Sequence, residues 1–181
     1  GTNIIQADTS RGTVESIAED REGNLWVGTS GGGLIRLRSR VVEFQGTESG
    51  LPFAAARSMC EDASGILWAV GENGALARRQ DGPWQLISTN QGWSGARAMC
   101  VVGDGRGGVW IGTQRGGGLY HWQNGAFTVL TRKEGLAGDT IRGLFLDRGG
   151  GLWVSQESST SLQRLHGGKL QTYTQPTGSR H

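Results

Sequence analysis

The sequence predicts an all-β protein made of four copies of one small antiparallel sheet, and three observations carry this prediction. A seven-residue pattern with tryptophan at its fourth position occurs four times, as GNLWVGT, GILWAVG, GGVWIGT and GGLWVSQ. The tryptophans are spaced by 42, 42 and 43 residues, at Trp26, Trp68, Trp110 and Trp153. Between the copies, short apolar runs alternate with glycine-rich turns, and no segment has helical periodicity.

Other positions repeat together with the tryptophan. An aspartate lies six residues before each tryptophan and a glycine three residues before it. The aspartates are Asp20, Asp62, Asp104 and Asp147. A glycine followed by a large apolar residue lies 18 residues before the last three tryptophans, as Gly50-Leu51, Gly92-Trp93 and Gly135-Leu136. A repeat of 40 to 50 residues with glycine and tryptophan at fixed positions is typical of a propeller blade.

The first repeat divides into four strands. Val14–Glu19 alternates and is partly β-branched, and residues 25–27, 34–37 and 41–44 form the three other apolar runs. The Asp-x-x-Gly segment joins the first two strands, because an aspartate can accept from the N–H groups of a tight turn that ends in glycine. The third and fourth strands of the later repeats are expected at 75–79 and 84–87, 118–122 and 127–130, and 161–165 and 170–173.

A four-stranded sheet this small cannot bury both of its faces alone. Copies stacked face to face, with the tryptophan between neighbours, solve this, and radial stacking gives a β-propeller. We therefore predict a β-propeller of four four-stranded antiparallel blades. The expected divisions are an outer strand and linker at 1–13, blades at 14–50, 51–92, 93–135 and 136–175, and a tail at 176–181 that resembles a tag remnant.

The two ends of the array leave its closure open. Residues 2–5 fall where the other repeats place a fourth strand, and such a spare edge is normally avoided by natural sheets. Because the chain opens inside a repeat, we expect it to be a piece of a longer one. Four blades can close as a small ring, or two copies can complete an eight-blade ring with twofold symmetry.

Composition excludes several classes of protein. The 33 glycines lack the strict period and the proline content of collagen, since only 3 prolines are present. The net charge is +2 and the basic residues are scattered, which disfavours nucleic-acid binding. No apolar run approaches the length of a membrane span or of a signal-peptide core. The two cysteines, Cys60 and Cys100, occupy the same strand of consecutive repeats and are expected to be small buried residues rather than a disulfide.

No catalytic, metal or cofactor site is predicted. Each repeated aspartate lies alone in a hairpin turn, whereas a hard cation needs about six or more converging oxygens. The glycine-rich loops lack the lysine and the following helix of a phosphate-binding loop. His121 and His166 are not placed near a nucleophile and an orienting acid in any recognisable pattern.

The repeat resembles a known family. EDREGNLWVGT at residues 19–29, followed by Gly32-Gly33-Leu34, resembles the two-component regulator propeller repeat, as do residues 104–113 followed by Gly117-Gly118-Leu119. The match is weaker in the second repeat, which has Ala69-Val70-Gly71, and in the fourth, which has Ser155-Gln156. The resemblance covers nearly the whole chain.

The resemblance implies an extracytoplasmic sensor region of a bacterial two-component receptor, non-enzymatic and periplasmic or extracellular. Such regions usually have more than four blades and precede a β-sandwich, a membrane helix and a kinase or cyclase, and some respond to polysaccharide fragments. The matching motif residues are structural, so the resemblance assigns no ligand contact. Two alternatives are an assembly module that oligomerises through open blade edges and an enzyme similar to virginiamycin B lyase, whose His and Glu residues have no match here.

Residues that do not repeat are the candidates for ligand binding. Loops between blades, and between the second and third strands of a blade, reach one rim of a propeller. The candidates on this rim are Trp93, Arg97, Arg57, Arg115, Arg142 and Glu72. Trp93 could stack on a sugar ring, or it could fill the slot that Leu51 and Leu136 fill in other repeats. The expected partners are an oligosaccharide or another small ligand and a second copy of the chain.

Overall fold

The computed structural model describes residues 12–37, 42–157 and 159–174, and its regular structure is four sheets and three short 3-10 turns. Blade 1 contains β1 (Val14–Glu19), β2 (Leu25–Thr29), β3 (Gly33–Leu37) and β4 (Val42–Gln45). Blade 2 contains β5 (Ala56–Glu61), β6 (Leu67–Gly71), β7 (Leu76–Arg79) and β8 (Gln85–Leu86). Blade 3 contains β9 (Ala98–Gly103), β10 (Val109–Thr113), β11 (Leu119–Gln123) and β12 (Ala126–Leu130). Blade 4 contains β13 (Ile141–Leu146), β14 (Leu152–Gln156), β15 (Ser161–His166) and β16 (Lys169–Thr174).

Each blade is an antiparallel meander whose strands lie in chain order, which confirms the four four-stranded sheets predicted from the repeat. The first strands of successive blades pack against one another, β1 on β5, β5 on β9, and β9 on β13. They therefore line a common axis, and the fourth strands lie outermost. In the described residues β13 does not pack on β1 as successive first strands do, so the blades form an open arc of a propeller.

The hydrophobic core consists of three layers, one between each pair of successive blades. The first is centred on Trp26 and Leu34 of blade 1 against Met59 and Ala69 of blade 2. The second and third repeat this arrangement between blades 2 and 3 and between blades 3 and 4. Burial of apolar side chains in these layers is the main force that holds one blade against the next.

The repeated tryptophans occupy these layers as expected, with one difference. Trp26 is 1% exposed and Trp68 is fully buried, and Trp110 packs into the third layer while remaining partly exposed. Trp153 is also partly exposed, because it lies on the face of blade 4 that no described blade covers. A covering blade accounts for the difference between Trp68 and Trp153, whereas Trp110 is partly exposed although blade 4 packs on it.

The strand limits predicted from the sequence hold within one or two residues for most strands. β8 is one residue shorter at each end than predicted, at Gln85–Leu86, and is flanked by the buried Trp84 and Ile87. The strand expected at residues 2–5 and the tail at 176–181 lie outside the described residues. In the described part of the chain, no helix has the length and hydropathy that crossing a membrane requires.

The connection between blades contains a feature that the sequence did not reveal. Thr47–Ser49, Thr89–Gln91 and Arg132–Glu134 each form a 3-10 turn. Each turn ends at a glycine in the left-handed conformation, with φ of 86° at Gly50, for example. Glycine adopts this conformation without steric cost, which explains why the Gly-Leu or Gly-Trp pair repeats before each new blade.

Candidate functional site

The first strand of every blade carries a β-bulge at the same position. In β1 the pairing with β2 passes from Val14 opposite Thr29 to Ser16 opposite Gly28, which leaves Glu15 as the extra residue. The same shift leaves one residue unpaired in β5, β9 and β13. The four bulged residues are Glu15, Arg57, Met99 and Arg142. Bulges of this kind re-aim side chains and are frequent at the rims of closed sheets and beside active sites.

The bulges lie at one end of the innermost strands, opposite the Asp-x-x-Gly hairpins. Because β1, β5, β9 and β13 are neighbours, their bulged residues form an arc around the axis at one rim. Two of the predicted candidates, Arg57 and Arg142, belong to this arc. The sequence analysis missed Glu15 and Met99, although all four residues lie 11 positions before a repeated tryptophan.

Arg57 is a cation of this rim and has no charged partner among the described residues. It is partly buried, and its Nη1 lies 3.3 Å from the Sδ atom of Met99. Gln114 also donates from Nε2 to that sulfur. A thioether is a weak acceptor, and none of the described carboxylates forms an ion pair with Arg57. The guanidinium therefore keeps most of its donors for another acceptor.

Arg97 connects the rim loops of blades 2 and 3. Its Nη2 donates to the carbonyl oxygen of Glu72 at 2.9 Å, and its Nε is buried without a hydrogen-bond acceptor. Gly74 makes room for this side chain, because a Cβ atom at that position would collide with it. The carbonyl of Arg97 in turn accepts from the N–H of Gln114 at 2.9 Å. Arg57, Arg97 and Glu72 are thus brought into one connected region through Met99 and Gln114.

The remaining candidates are more separate. Arg142 is exposed and forms an ion pair with Glu157 of the same blade. Arg115 is exposed, with φ of 55°, at the tip of the loop between β10 and β11. Within the described residues, no hydrogen bond or ion pair joins the side chain of Arg142 or Arg115 to Arg57, Arg97 or Glu72, although all lie on the same rim.

Trp93 lies inside the molecule. Its side chain is 5% exposed, and its ring centroid lies 4.9 Å from that of Tyr120 and 5.2 Å from that of Phe127. Leu51 and Leu136, at the equivalent positions, are 1% and 4% exposed. This burial favours Trp93 as a filler of the space between blades over Trp93 as a platform for a sugar.

The opposite rim contains the aspartate hairpins. In the second repeat, Oδ1 of Asp62 accepts from the N–H groups of Ser64 and Ile66, at 2.8 and 3.1 Å. Its Oδ2 accepts from the indole N–H of Trp68 at 2.9 Å. Asp20 bonds Trp26, and Asp147 bonds Trp153, in the same way. The bonds to the turn N–H groups agree with the interpretation of these aspartates as turn residues. The bond from the indole also makes the aspartate and the tryptophan of the repeat one hydrogen-bonded unit.

Blade 3 departs from this arrangement. Asp104 accepts from two N–H groups of its turn, at 2.7 and 2.9 Å, but its Oδ2 lies 2.8 Å from Nε2 of His121. The His121 ring stacks on Trp110, with 3.9 Å between centroids and 10° between planes. In the first and second blades an arginine, Arg36 or Arg78, occupies this position over the indole. His121 is therefore part of the scaffold.

Titration of these aspartates links the hairpins to stability. Burial opposes ionisation of Asp104 and Asp20, yet hydrogen bonds from His121 in one case and Trp26 in the other lower each pKa. The hydrogen bond from Arg164 is the main cause of the lowered pKa of Asp147. A carboxylate whose pKa is lower in the folded protein than in the unfolded chain stabilises the fold at pH values above its pKa in the unfolded chain. This stabilisation is lost as pH falls through its pKa in the folded protein.

We expect the urea midpoint of unfolding to be steady from pH 7 to about 5 and to decrease as pH falls below the ordinary aspartate value of 3.8. Replacing Asp147 by asparagine should make the midpoint less sensitive to acid, because one of the responsible carboxylates is removed. Urea titrations followed by tryptophan fluorescence from pH 7 to pH 2 measure both effects. An equal midpoint at neutral and strongly acidic pH would contradict the expectation.

The described residues contain no set of three or more His, Cys, Asp or Glu side chains placed to hold a metal ion. Both cysteines are free, and burial raises the pKa of Cys60 and raises that of Cys100 to about 12. Thiols with such pKa values are protonated at neutral pH and are poor nucleophiles. The expectation of two small buried thiols agrees with this geometry.

Comparisons with known proteins agree on the fold. The family model described as "Two component regulator propeller" matches residues 10–31. The extracellular domain of a hybrid two component system from B. thetaiotaomicron is 26% identical, with a TM-score of 0.72 over 89% of this chain and 23% of that one. The extracellular domain of a one component system from the same organism is 20% identical, with a TM-score of 0.70 over 91% of this chain and 25% of that one.

An enzyme also has this fold. Virginiamycin B lyase from Staphylococcus aureus is 14% identical, with a TM-score of 0.74 over 94% of this chain and 58% of that one. At this identity the likeness concerns the fold alone. No curated protein matches the sequence.

The chain spans about a quarter of the length of the two extracellular domains. The repeat that matches the family model contains the Asp20 hairpin and Trp26, the unit that recurs in blades 2 and 4. The resemblance found in the sequence is therefore confirmed: the two component regulator propeller model matches the repeat at residues 10–31, and the four blades have the propeller fold of extracellular domains of two component systems.

Proposed function

We propose that the chain is a sensor segment of a bacterial two-component receptor, located outside the cytoplasm, which binds a small polar ligand without transforming it. The ligand contacts the rim formed by the four bulged residues, and an oligosaccharide is the preferred class. The similarity to extracellular domains of regulatory systems supports the sensor part of this proposal. The same similarity supports the proposed location.

The observation that carries the ligand site is Arg57. Its guanidinium lies at the rim with a thioether as its hydrogen-bond partner, and a repeated bulge places it on the innermost strand. A guanidinium presents up to five N–H donors in a planar fork, which suits sugar hydroxyls and carboxylates. Arg97 and Glu72 are linked to it through Met99 and Gln114, and they add a donor and an acceptor to the same region.

Ligand capture would act by changing how blades pack. The Arg57 region joins loops of blades 2 and 3, so a ligand that bridges these loops favours one relative placement of the two blades. In the receptor, such a change would be transmitted to whatever domain packs on the propeller. The proposal is non-enzymatic, and we expect no metal-dependent turnover of a cyclic ester antibiotic of the kind that a lyase would open.

Arg57→Ala is expected to weaken ligand binding by about tenfold or more, because it removes a charge-assisted hydrogen bond. The measurement is calorimetric titration with a panel of neutral and uronate-containing oligosaccharides. Arg106→Ala is the matched control, since Arg106 is exposed on the opposite rim. Binding of a glycan that is unchanged by Arg57→Ala, or lost equally in Arg106→Ala, would contradict the site.

A further inference from the structure

The face of blade 4 that points away from blade 3 is an apolar surface on which no blade among residues 12–37, 42–157 and 159–174 packs. Phe145 is 64% exposed, Tyr173 is 40% exposed and Leu162 is 39% exposed. Phe145, Leu162 and Trp153 line a shallow cavity of about 480 Å³ whose walls are almost entirely apolar, and the ring of Tyr173 packs on Trp153 with 5.1 Å between centroids. We call this surface, defined by Phe145, Trp153, Leu162 and Tyr173, the leading face.

Repeat symmetry identifies what this surface is. Leu162 pairs with the residue that follows Trp153 by two positions. In the other three blades, the residue two positions after the tryptophan pairs with Leu34, Leu76 or Leu119. Those three leucines are fully buried, each under the next blade. The leading face is therefore equivalent to the surfaces that the first three blades bury against their neighbours. No described blade packs on it.

Blade 1 presents the complementary surface at the other end of the arc. Ile17 is 63% exposed and Leu25 is 36% exposed. At the position of Ile17, Met59 and Val101 are 6% and 5% exposed beneath the preceding blade. We call this surface, defined by Ile17 and Leu25, the trailing face. A leading face packs on a trailing face at all three occupied interfaces.

A charge pair matches the two open faces to each other. At the interface of blades 1 and 2, Glu61 accepts from the N–H of Arg21 at 3.0 Å and lies 3.8 Å from its guanidinium Nε. Arg148 stands in blade 4 where Arg21 stands in blade 1, directly after the hairpin aspartate. Glu19 stands in blade 1 where Glu61 stands in blade 2, directly before it. Glu19 and Arg148 are exposed, and neither forms an ion pair within the described residues.

The same two positions meet at the third interface, which shows that the register is maintained along the arc. There they are occupied by Gly105 and Leu146, and a Cβ atom at Gly105 would lie 3.6 Å from a methyl group of Leu146. Blade 4 placed on another blade 1 in this register brings Arg148 opposite Glu19. At the second and third interfaces, both of these positions hold uncharged residues. A second pair of opposite charges at these positions therefore occurs only on the two open faces, as Arg148 and Glu19.

We propose that a second copy of this chain covers both faces, with blade 4 of each copy packed on blade 1 of the other. The pair closes an eight-blade ring with twofold symmetry, and it contains two identical head-to-tail interfaces. Apolar burial supplies the attraction, and the Arg148–Glu19 contact selects the register and the partner. This association does not depend on the ligand proposed above.

Light scattering coupled to gel filtration tests the pair directly. The 181-residue chain is expected to have twice its mass of 19.3 kDa. Phe145→Asp on the leading face and Ile17→Asp on the trailing face are each expected to weaken pairing by about 30-fold or more. Val129→Asp is the control, because Val129 is 43% exposed on the outer strand β12 and should leave the pair intact.

The substituted residues are exposed in the single chain, so all three variants should fold, and far-UV circular dichroism verifies this. A monomeric parent chain at high micromolar concentration overturns the proposal and leaves a further blade of a longer polypeptide as the occupant. Species larger than two copies also overturn it. Loss of pairing in Phe145→Asp but not in Ile17→Asp would mean that two leading faces meet, which overturns the head-to-tail arrangement.

Charge reversal tests the register. Arg148→Glu and Glu19→Arg should each weaken pairing severalfold, because like charges then face each other. The double variant should recover the affinity of the parent chain. Equal affinity in all four proteins would overturn the role given to this contact.

Discussion

Trp68→Ala is expected to lower the free energy of unfolding by about 4 kcal/mol, the range found for large aromatic residues removed from a close-packed core. The indole is fully buried between blades 2 and 3, with its centroid 6.0 Å from that of Trp122. Arg78 lies over the same ring at 5.9 Å. Truncation removes this packing and also removes the indole N–H that donates to Oδ2 of Asp62. Urea denaturation at neutral pH measures the change.

Trp153→Ala is the control that isolates the effect of a covering blade. It occupies the same repeat position and bonds its own aspartate at 2.9 Å, but it lies on the open leading face. Both substitutions should be made in an Ile17→Asp background, which lies in blade 1 away from both tryptophans, so that self-association does not contribute. We expect Trp153→Ala to cost less than half as much as Trp68→Ala. Equal losses would show that stacking between blades does not hold the fold together.

Asp62→Ala is expected to lower the free energy of unfolding by about 3 kcal/mol, because it leaves buried donors unpaired. The side chain is 2% exposed and accepts from Trp68 and from two N–H groups of its own turn. Asp81→Ala is the control, since Asp81 is exposed and should change stability by less than about 0.5 kcal/mol. Urea denaturation again provides the measurement.

The two large effects should not add. Asp62 and Trp68 form one hydrogen-bonded unit, so the double variant should be destabilised by clearly less than the sum of the single variants. Additive losses would mean that the aspartate acts only on its turn. This cycle separates the capping of the hairpin from the anchoring of the indole.

The repeat made the fold predictable because its signals are local and periodic. The hairpin needs an aspartate to bind turn N–H groups and a glycine such as Gly23, whose φ is 77°. Both residue types are visible in the sequence at fixed offsets. The bond from Asp62 to Trp68 was not visible, since it depends on the hairpin bringing residues six positions apart to the same side of the sheet.

The candidate site was only partly predictable. Assigning variable residues to rim loops identified Arg57 and Arg142, but it treated them as independent. Their shared bulge position appears only in the strand register, which is set by pairing across β5 with β6 and β13 with β14. The sequence left open whether Trp93 stacks on a ligand or fills the slot that Leu51 and Leu136 fill, and only the structure shows that Tyr120 and Phe127 of the same blade enclose it.

The sequence by itself determined the number of blades, their four-stranded form and the turns that join their strands, because each depends on residues close together in the chain. The tertiary structure decided which faces are covered, which cations keep a partner and which aromatic residues reach solvent. These properties depend on contacts between blades about 42 residues apart. Identical positions such as Trp68 and Trp153 therefore differ in burial, because one has a blade packed on it and the other lies on an open face.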